Sequence, residues 1–173
     1  MAPSLYILKV TYSYGGSMRK LFLGTILSIT TISSFAAPQG TLLLQGTINQ
    51  VLSLTVSPES GVNTSLDLTS TQTDLKVAEV GEQTNSNTGY KILIRTANGG
   101  SLKNGSFDEV SYSMKYDGSP VTLSTSDTEV KNESTGGVYD HSSDVEISYT
   151  GQPAASLTQG TYSDTVTFTI QVN

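Results

Sequence analysis

Period-two alternation of apolar and polar residues recurs along most of the chain from Gly40 onward, and no segment there sustains a helical period. This limits the fold more than any other feature, because a chain that alternates in this way can bury one face only as strands. In "GTLLLQGTINQVLSLTV", Gly40 to Val56, the residues Leu42, Leu44, Ile48, Leu52, Leu54 and Val56 share one parity, interrupted by Gly46 and Gln50. "SLDLTS" (65–70) and "LKVAEV" (75–80) are short candidate strands. "GYKILIRTA" sets Tyr90, Ile92 and Ile94 on one face, and "EVSYSMKYDG" does the same for Val110, Tyr112, Met114 and Tyr116, with a turn at Asp117-Gly118. "PVTLSTS" and "DVEISYTG" follow, and the chain closes on "GTYSDTVTFTIQVN". The separators are turn material such as "NGG", "KNG", "TGG" and "TQG". Only 14% of residues are charged, and Thr, Ser, Gly, Val, Asn and Tyr abound, a composition of strands and turns. Roughly seven or eight strands at this spacing predict an all-β, immunoglobulin-like antiparallel β-sandwich, with a barrel as the alternative.

The first segment reads as a leader and not as fold. From Met18 the sequence runs "MRKLFLGTILSITTISSFAAPQG", with Arg19 and Lys20, an apolar run from Leu21 to Ile32, and the small-x-small triplet Ser34-Phe35-Ala36. That pattern predicts a signal peptide over 1–36 cut after Ala36, with Met18 as the true start. A single N-terminal anchor is the alternative. The leader carries Lys9, Arg19 and Lys20 and no acid, so its loss would make a chain of net charge −6 more acidic still. Such a balance speaks against nucleic acid or an anionic membrane surface as partner. The chain has no Cys, so no disulfide staples the exported domain.

Signals for enzyme chemistry are sparse, and no catalytic residue, cofactor or metal is expected. The sequence contains neither a phosphate-cradling Gly loop nor a Gly-x-Ser-x-Gly elbow. The lone His sits in "YDHSSDVE", where Asp140, His141, Ser142 and Asp144 imitate a triad on paper; a solvated loop His is the plainer reading. Asp140, Asp144 and Glu146 lack the spacing of a Ca²⁺ loop. Asp108-Glu109, Asp127 and Glu129 read as exposed carboxylates at strand ends. Tyr90, Tyr112, Tyr116 and Tyr162 stand on the apolar parity, which favours core packing over a sugar-stacking platform.

Both ends of the exported region carry a resemblance. "GTLLLQGTI" is similar to the N-terminal extension of chaperone–usher pilus (fimbrial) subunits, in which Gly-Thr leads into alternate apolar residues around one Gly; here the row is Leu42, Leu44, Gly46, Ile48. "GTYSDTVTFTIQVN" resembles the last strand of the same subunits through Gly160, Tyr162, Asp164, Val166, Phe168, Ile170 and Val172. The absence of Cys departs from the many members with a disulfide and points to the Cys-less type. The resemblance implies a sandwich lacking its last strand, 50–173, preceded by a donor extension, 37–49. It implies an acceptor groove along Gly160, Tyr162, Val166, Phe168, Ile170 and Val172, filled first by a periplasmic chaperone and then by the donor strand of an identical or related subunit. Gly46 would mark a shallow point of the groove that admits no Cβ.

The functional expectation is therefore a non-enzymatic structural subunit of a surface pilus, exported through the periplasm, assembled by donor-strand exchange at an outer-membrane usher, and adhesive toward a host receptor that the sequence does not identify. The rival readings are a secreted β-sandwich binding module and a spore-coat-U-like surface protein. A further rival makes residues 41–49 the first strand of a closed sandwich.

Overall fold

Strand pairing begins at Leu52, later than alternation alone predicts. A computed structural model describes residues 37–173, and the expected leader over 1–36 lies outside the described residues. Gln45–Asn173 form one unit, and residues 37–44 are described separately. The run Gly40–Val56 is not one continuous strand. Its first part, through Val51, has no helix or strand, and only Leu52–Pro58 pairs, as β1. Residues 41–49 are thus not the first strand of a closed sandwich.

Nine strands follow one another in the unit: β1, β2 (Gln72–Thr84), β3 (Tyr90–Thr96), β4 (Ser101–Lys103), β5 (Glu109–Tyr116), β6 (Ser119–Val121), β7 (Thr128–Glu133), β8 (Tyr139–Tyr149) and β9 (Val166–Val172). All pairings are antiparallel. One sheet has the order β1-β2-β8-β5-β4, with β6 added to β5, and the other has the order β7-β3-β9. This is an immunoglobulin-like sandwich whose smaller sheet stops at β9.

Alternation decides which side chains meet between the sheets. Val80 and Ala78 of β2, Ile92 and Ile94 of β3, Met114 of β5 and Val145 and Ile147 of β8 join a single buried cluster. Asp117 (φ 50) and Gly118 (φ 73) both take the left-handed region that a tight hairpin between β5 and β6 needs, and Asp-Gly supplies it at little cost.

Three elements depart from the expectation. "SLDLTS" is a turn and not a strand: the Asp67 carboxylate accepts from the Thr69 backbone N–H (3.0 Å), the Thr69 hydroxyl (2.6 Å) and the Ser70 hydroxyl (2.7 Å), bending the chain locally. "PVTLSTS" pairs only at its start, within β6. The last strand begins at Val166, so Gly160 and Tyr162 lie in the loop before it. β7 went unread because Glu129, Lys131 and Glu133 obscure its alternation.

Candidate functional site

Strand β9 is built from "VTFTIQV", in which Val166, Phe168 and Ile170 pack against the core and Val172 shares their parity. β1 leaves Leu52 and Val56 exposed, whereas in β2, β3, β5 and β8 such an inward row is largely buried. In β9, Val166, Phe168 and Ile170 remain half-exposed, and Val172 is 38% exposed. The cause is the sheet order. β9 pairs with β3 along one edge only, and β1 pairs with β2 along one edge only, so two strand edges are left without a partner among the described residues. β1 runs from Leu52, opposite Thr84, toward Pro58, opposite Ala78, while β9 runs from Val166, opposite Thr96, toward Val172, opposite Tyr90. The two edges are antiparallel to each other.

Between them lies a groove with a cavity volume of about 220 Å³, floored by Ala78, Met114, Val145 and Ile147 and flanked by Val56 on one side and Val166 and Phe168 on the other. A second hollow of about 570 Å³ adjoins it, sharing Asn63, Leu66, Leu102 and Asp164, and is lined by Gly160 and Tyr162. The sequence-expected acceptor residues therefore divide in three. Val166 and Phe168 line the groove, Gly160 and Tyr162 line the adjoining hollow, and Ile170 and Val172 continue along β9 beyond both. The floor and the β1 wall were not named from sequence, since alternation reveals a buried face but not which strands end up opposite each other.

Loop contacts hold this end in shape. Asp108 accepts from the Thr158 N–H (2.6 Å) and the Tyr162 hydroxyl (3.3 Å), which keeps its carboxyl below the usual range. Asp164 accepts from the Tyr112 hydroxyl at 3.0 Å, and burial followed by that carboxylate pushes the Tyr112 hydroxyl far up. Tyr112 and Tyr162 are therefore partly polar anchors, not plain core.

The expected donor residues show the opposite condition. Leu42, Leu44 and Ile48 are 82%, 83% and 86% exposed, and a Cβ at Gly46 would meet nothing within 4 Å. Residues 49–51 are fastened to the β2–β3 connection: the Asn85 side chain donates to the Asn49 carbonyl (3.0 Å) and accepts from the Val51 N–H (2.6 Å), and the Thr84 hydroxyl donates to the Val51 carbonyl (2.9 Å).

The sequence reading also missed a buried carboxylate. Glu82 stands on the inward parity of Ala78, Val80 and Thr84 and is 1% exposed. Its oxygens accept from the Tyr90 hydroxyl (2.6 Å), the Ser143 hydroxyl (2.8 Å) and the Tyr116 hydroxyl, and the Lys131 ammonium lies 3.0 Å away. Burial by itself would raise the Glu82 pKa; the hydrogen bonds from Tyr116, Tyr90, Lys131 and Ser143 outweigh it and hold the carboxyl below its ordinary value. The available signal was the parity of β2 continued two residues past Val80.

His141 lies on β8 and not in a loop. Its ring stacks on Tyr139, with centroids 5.6 Å apart, and strand alternation puts Asp140, Ser142 and Asp144 on the other face, so no triad assembles. Asp144 instead pairs with Lys76 at 2.6 Å. Among the described residues no group of three acidic, His or Cys side chains could hold a metal ion, and no helix is long and apolar enough to cross a membrane.

No protein-family model matches the chain, and no curated protein matches it in sequence. Among solved structures it is similar to the crystal structure of the P pilus rod subunit PapA, at 11% identity and a TM-score of 0.39, over 69% of this chain and 99% of that one.

Proposed function

We propose that the chain is a structural subunit of a surface fibre, in which residues 37–49 of one copy enter the groove of another and pair with its β9. The observation that carries this reading is the half-exposed row Val166, Phe168 and Ile170 beside an unpaired backbone edge. An open apolar edge of this kind invites a strand. β7 also has a free edge, yet it carries Glu129, Lys131 and Glu133, the charges that ordinarily discourage pairing. Leu42, Leu44 and Ile48 share one parity and are exposed, so all three can enter one groove. Burying each is worth about 1.5–3 kcal/mol before entropy is counted, and each ladder bond adds a net of roughly 0.5–1.5 kcal/mol.

On this reading the partners are identical or related subunits, with a periplasmic chaperone covering the groove before assembly and an outer-membrane usher ordering it. Export to the cell surface and a role in adhesion follow from the same reading. The test compares a chain starting at Ala37 with one starting at Val51. Only the first should give a ladder of polymers on an unboiled denaturing gel. Equally monomeric, equally stable proteins would overturn the reading.

A further inference from the structure

The Glu82 cluster lies toward the Val172 end of β9, and strand capture by itself does not call for it. The groups that face Glu82 come from four strands: Tyr90 from β3, Tyr116 from β5, Lys131 from β7, and Ser143 from β8. Farther out on β8, the Tyr139 ring is tilted against Tyr90, with centroids 5.3 Å apart, and stacks on His141, and the charge of Glu133 on β7 helps to hold the Tyr90 hydroxyl protonated. β1 sets Leu54 opposite Glu82, and neither β1 nor β9 contains a titratable side chain.

Two of these partners reach β9. The Tyr116 ring lies against Phe168, with centroids 6.1 Å apart, while its hydroxyl is held by Glu82. Tyr90 pairs with Val172, and the adjoining Asn173 side chain donates to the Tyr90 carbonyl (3.4 Å) and the Glu133 carbonyl (2.9 Å). The carboxylate thus touches, through one residue each, the middle and the end of the strand to which an incoming strand would pair.

We propose that Glu82 is a positioning residue for the groove: its carboxylate fixes Tyr116 against Phe168 and Tyr90 against Val172, and so sets where β9 lies. The geometry stands alone, and its consequence for assembly rests on the strand-capture reading. An ionised carboxylate accepts all of these bonds at charge-assisted strength. A proton on it converts one acceptor position into a donor and removes the charge facing Lys131. Acid therefore loosens β9 more than it loosens the rest of the sandwich.

The test uses the full chain and three variants, Glu82→Gln, Tyr116→Phe and His141→Gln. Amide exchange, corrected for intrinsic rate, is read at the β9 amides bonded to β3, from about pH 7 to about pH 4. Losing the charge should speed β9 exchange about tenfold in Glu82→Gln at neutral pH, and the wild type should approach that rate only in acid. Tyr116→Phe should reproduce part of the effect at Phe168, and His141→Gln should match the wild type. Unchanged β9 exchange in Glu82→Gln and Tyr116→Phe overturns the proposal, as does an equal rise in every strand, which would mark a merely global role. If Glu82→Gln does not fold, Tyr116→Phe and the wild-type pH series decide. A polymer ladder run alongside separates the two ideas. A β9 response with no ladder from the wild type retains the positioning role and removes strand capture, whereas a ladder with no β9 response removes the positioning role alone.

Discussion

Replacing Glu82 with Ala would leave the hydroxyls of Tyr90, Tyr116 and Ser143 and the Lys131 ammonium without the carboxylate that they share. Breaking a buried pair from one side strands the other charge, at a cost of about 3–5 kcal/mol, and urea denaturation should show a loss of that order. The pH dependence has a definite sign. The folded pKa of Glu82 lies below its ordinary 4.5, so its contribution to stability is complete above that value and lost as the pH falls through the folded one. The Glu82→Ala variant should therefore show a shallower fall in stability with acid than the wild type. At Phe168 the expected effect is on capture. Phe168→Asp puts a charge on the groove wall beside Tyr116, and a bound strand would have to desolvate it. A pull-down with a peptide of residues 40–50 should lose signal at least tenfold, in line with a penalty above about 1.4 kcal/mol.

Elements carry the next set of expectations, and they show where sequence patterning works and where it stops. Parity placed Tyr90, Ile92, Ile94, Val110, Met114 and Tyr116 inside, because burial of alternate residues is a local property of a strand. It misread 65–70, where an Asp carboxylate competes for backbone N–H groups, and it passed over β7, where charge hides a strand. It also ended β2 too early, since a Glu at an inward position looks like a surface residue until its four partners are assembled from distant strands. The open edge of β9 could not be read from β9 itself: an unpaired strand and a paired one have the same sequence, and only the sheet order tells them apart. The β2–β3 connection offers a sharp check. Gly89 has φ +86, and a Cβ there would fall 1.8 Å from the Glu133 carbonyl oxygen. Gly89→Ala should separate β3 from β7 and cost more than about 2 kcal/mol, seen as a lower thermal midpoint. Gly46 contrasts with it. A side chain there meets nothing in its own chain, so Gly46→Leu should leave the thermal midpoint unchanged and yet abolish the polymer ladder.

At the scale of the whole molecule, the proposed strand capture would complete the domain from outside by filling its groove. A peptide of residues 40–50 added to the chain starting at Val51 should raise its thermal midpoint, because a ligand that binds only the folded state stabilises it by mass action. At about a hundred times the dissociation constant the gain is about 2.7 kcal/mol, or roughly 10 °C for a domain of this size. The fastening of residues 49–51 to Asn85 and Thr84 has a mechanical meaning of its own. On the proposed reading, tension along a fibre would enter each subunit at Val51, just before β1. A pull along the axis of that strand loads its whole register with β2, from Leu52 opposite Thr84 to Pro58 opposite Ala78, at the same moment. Bonds loaded together in shear share the force, whereas bonds peeled from one end fail in succession. The short clamp at Asn85 thus sits at the point where a stretched fibre would first test the domain.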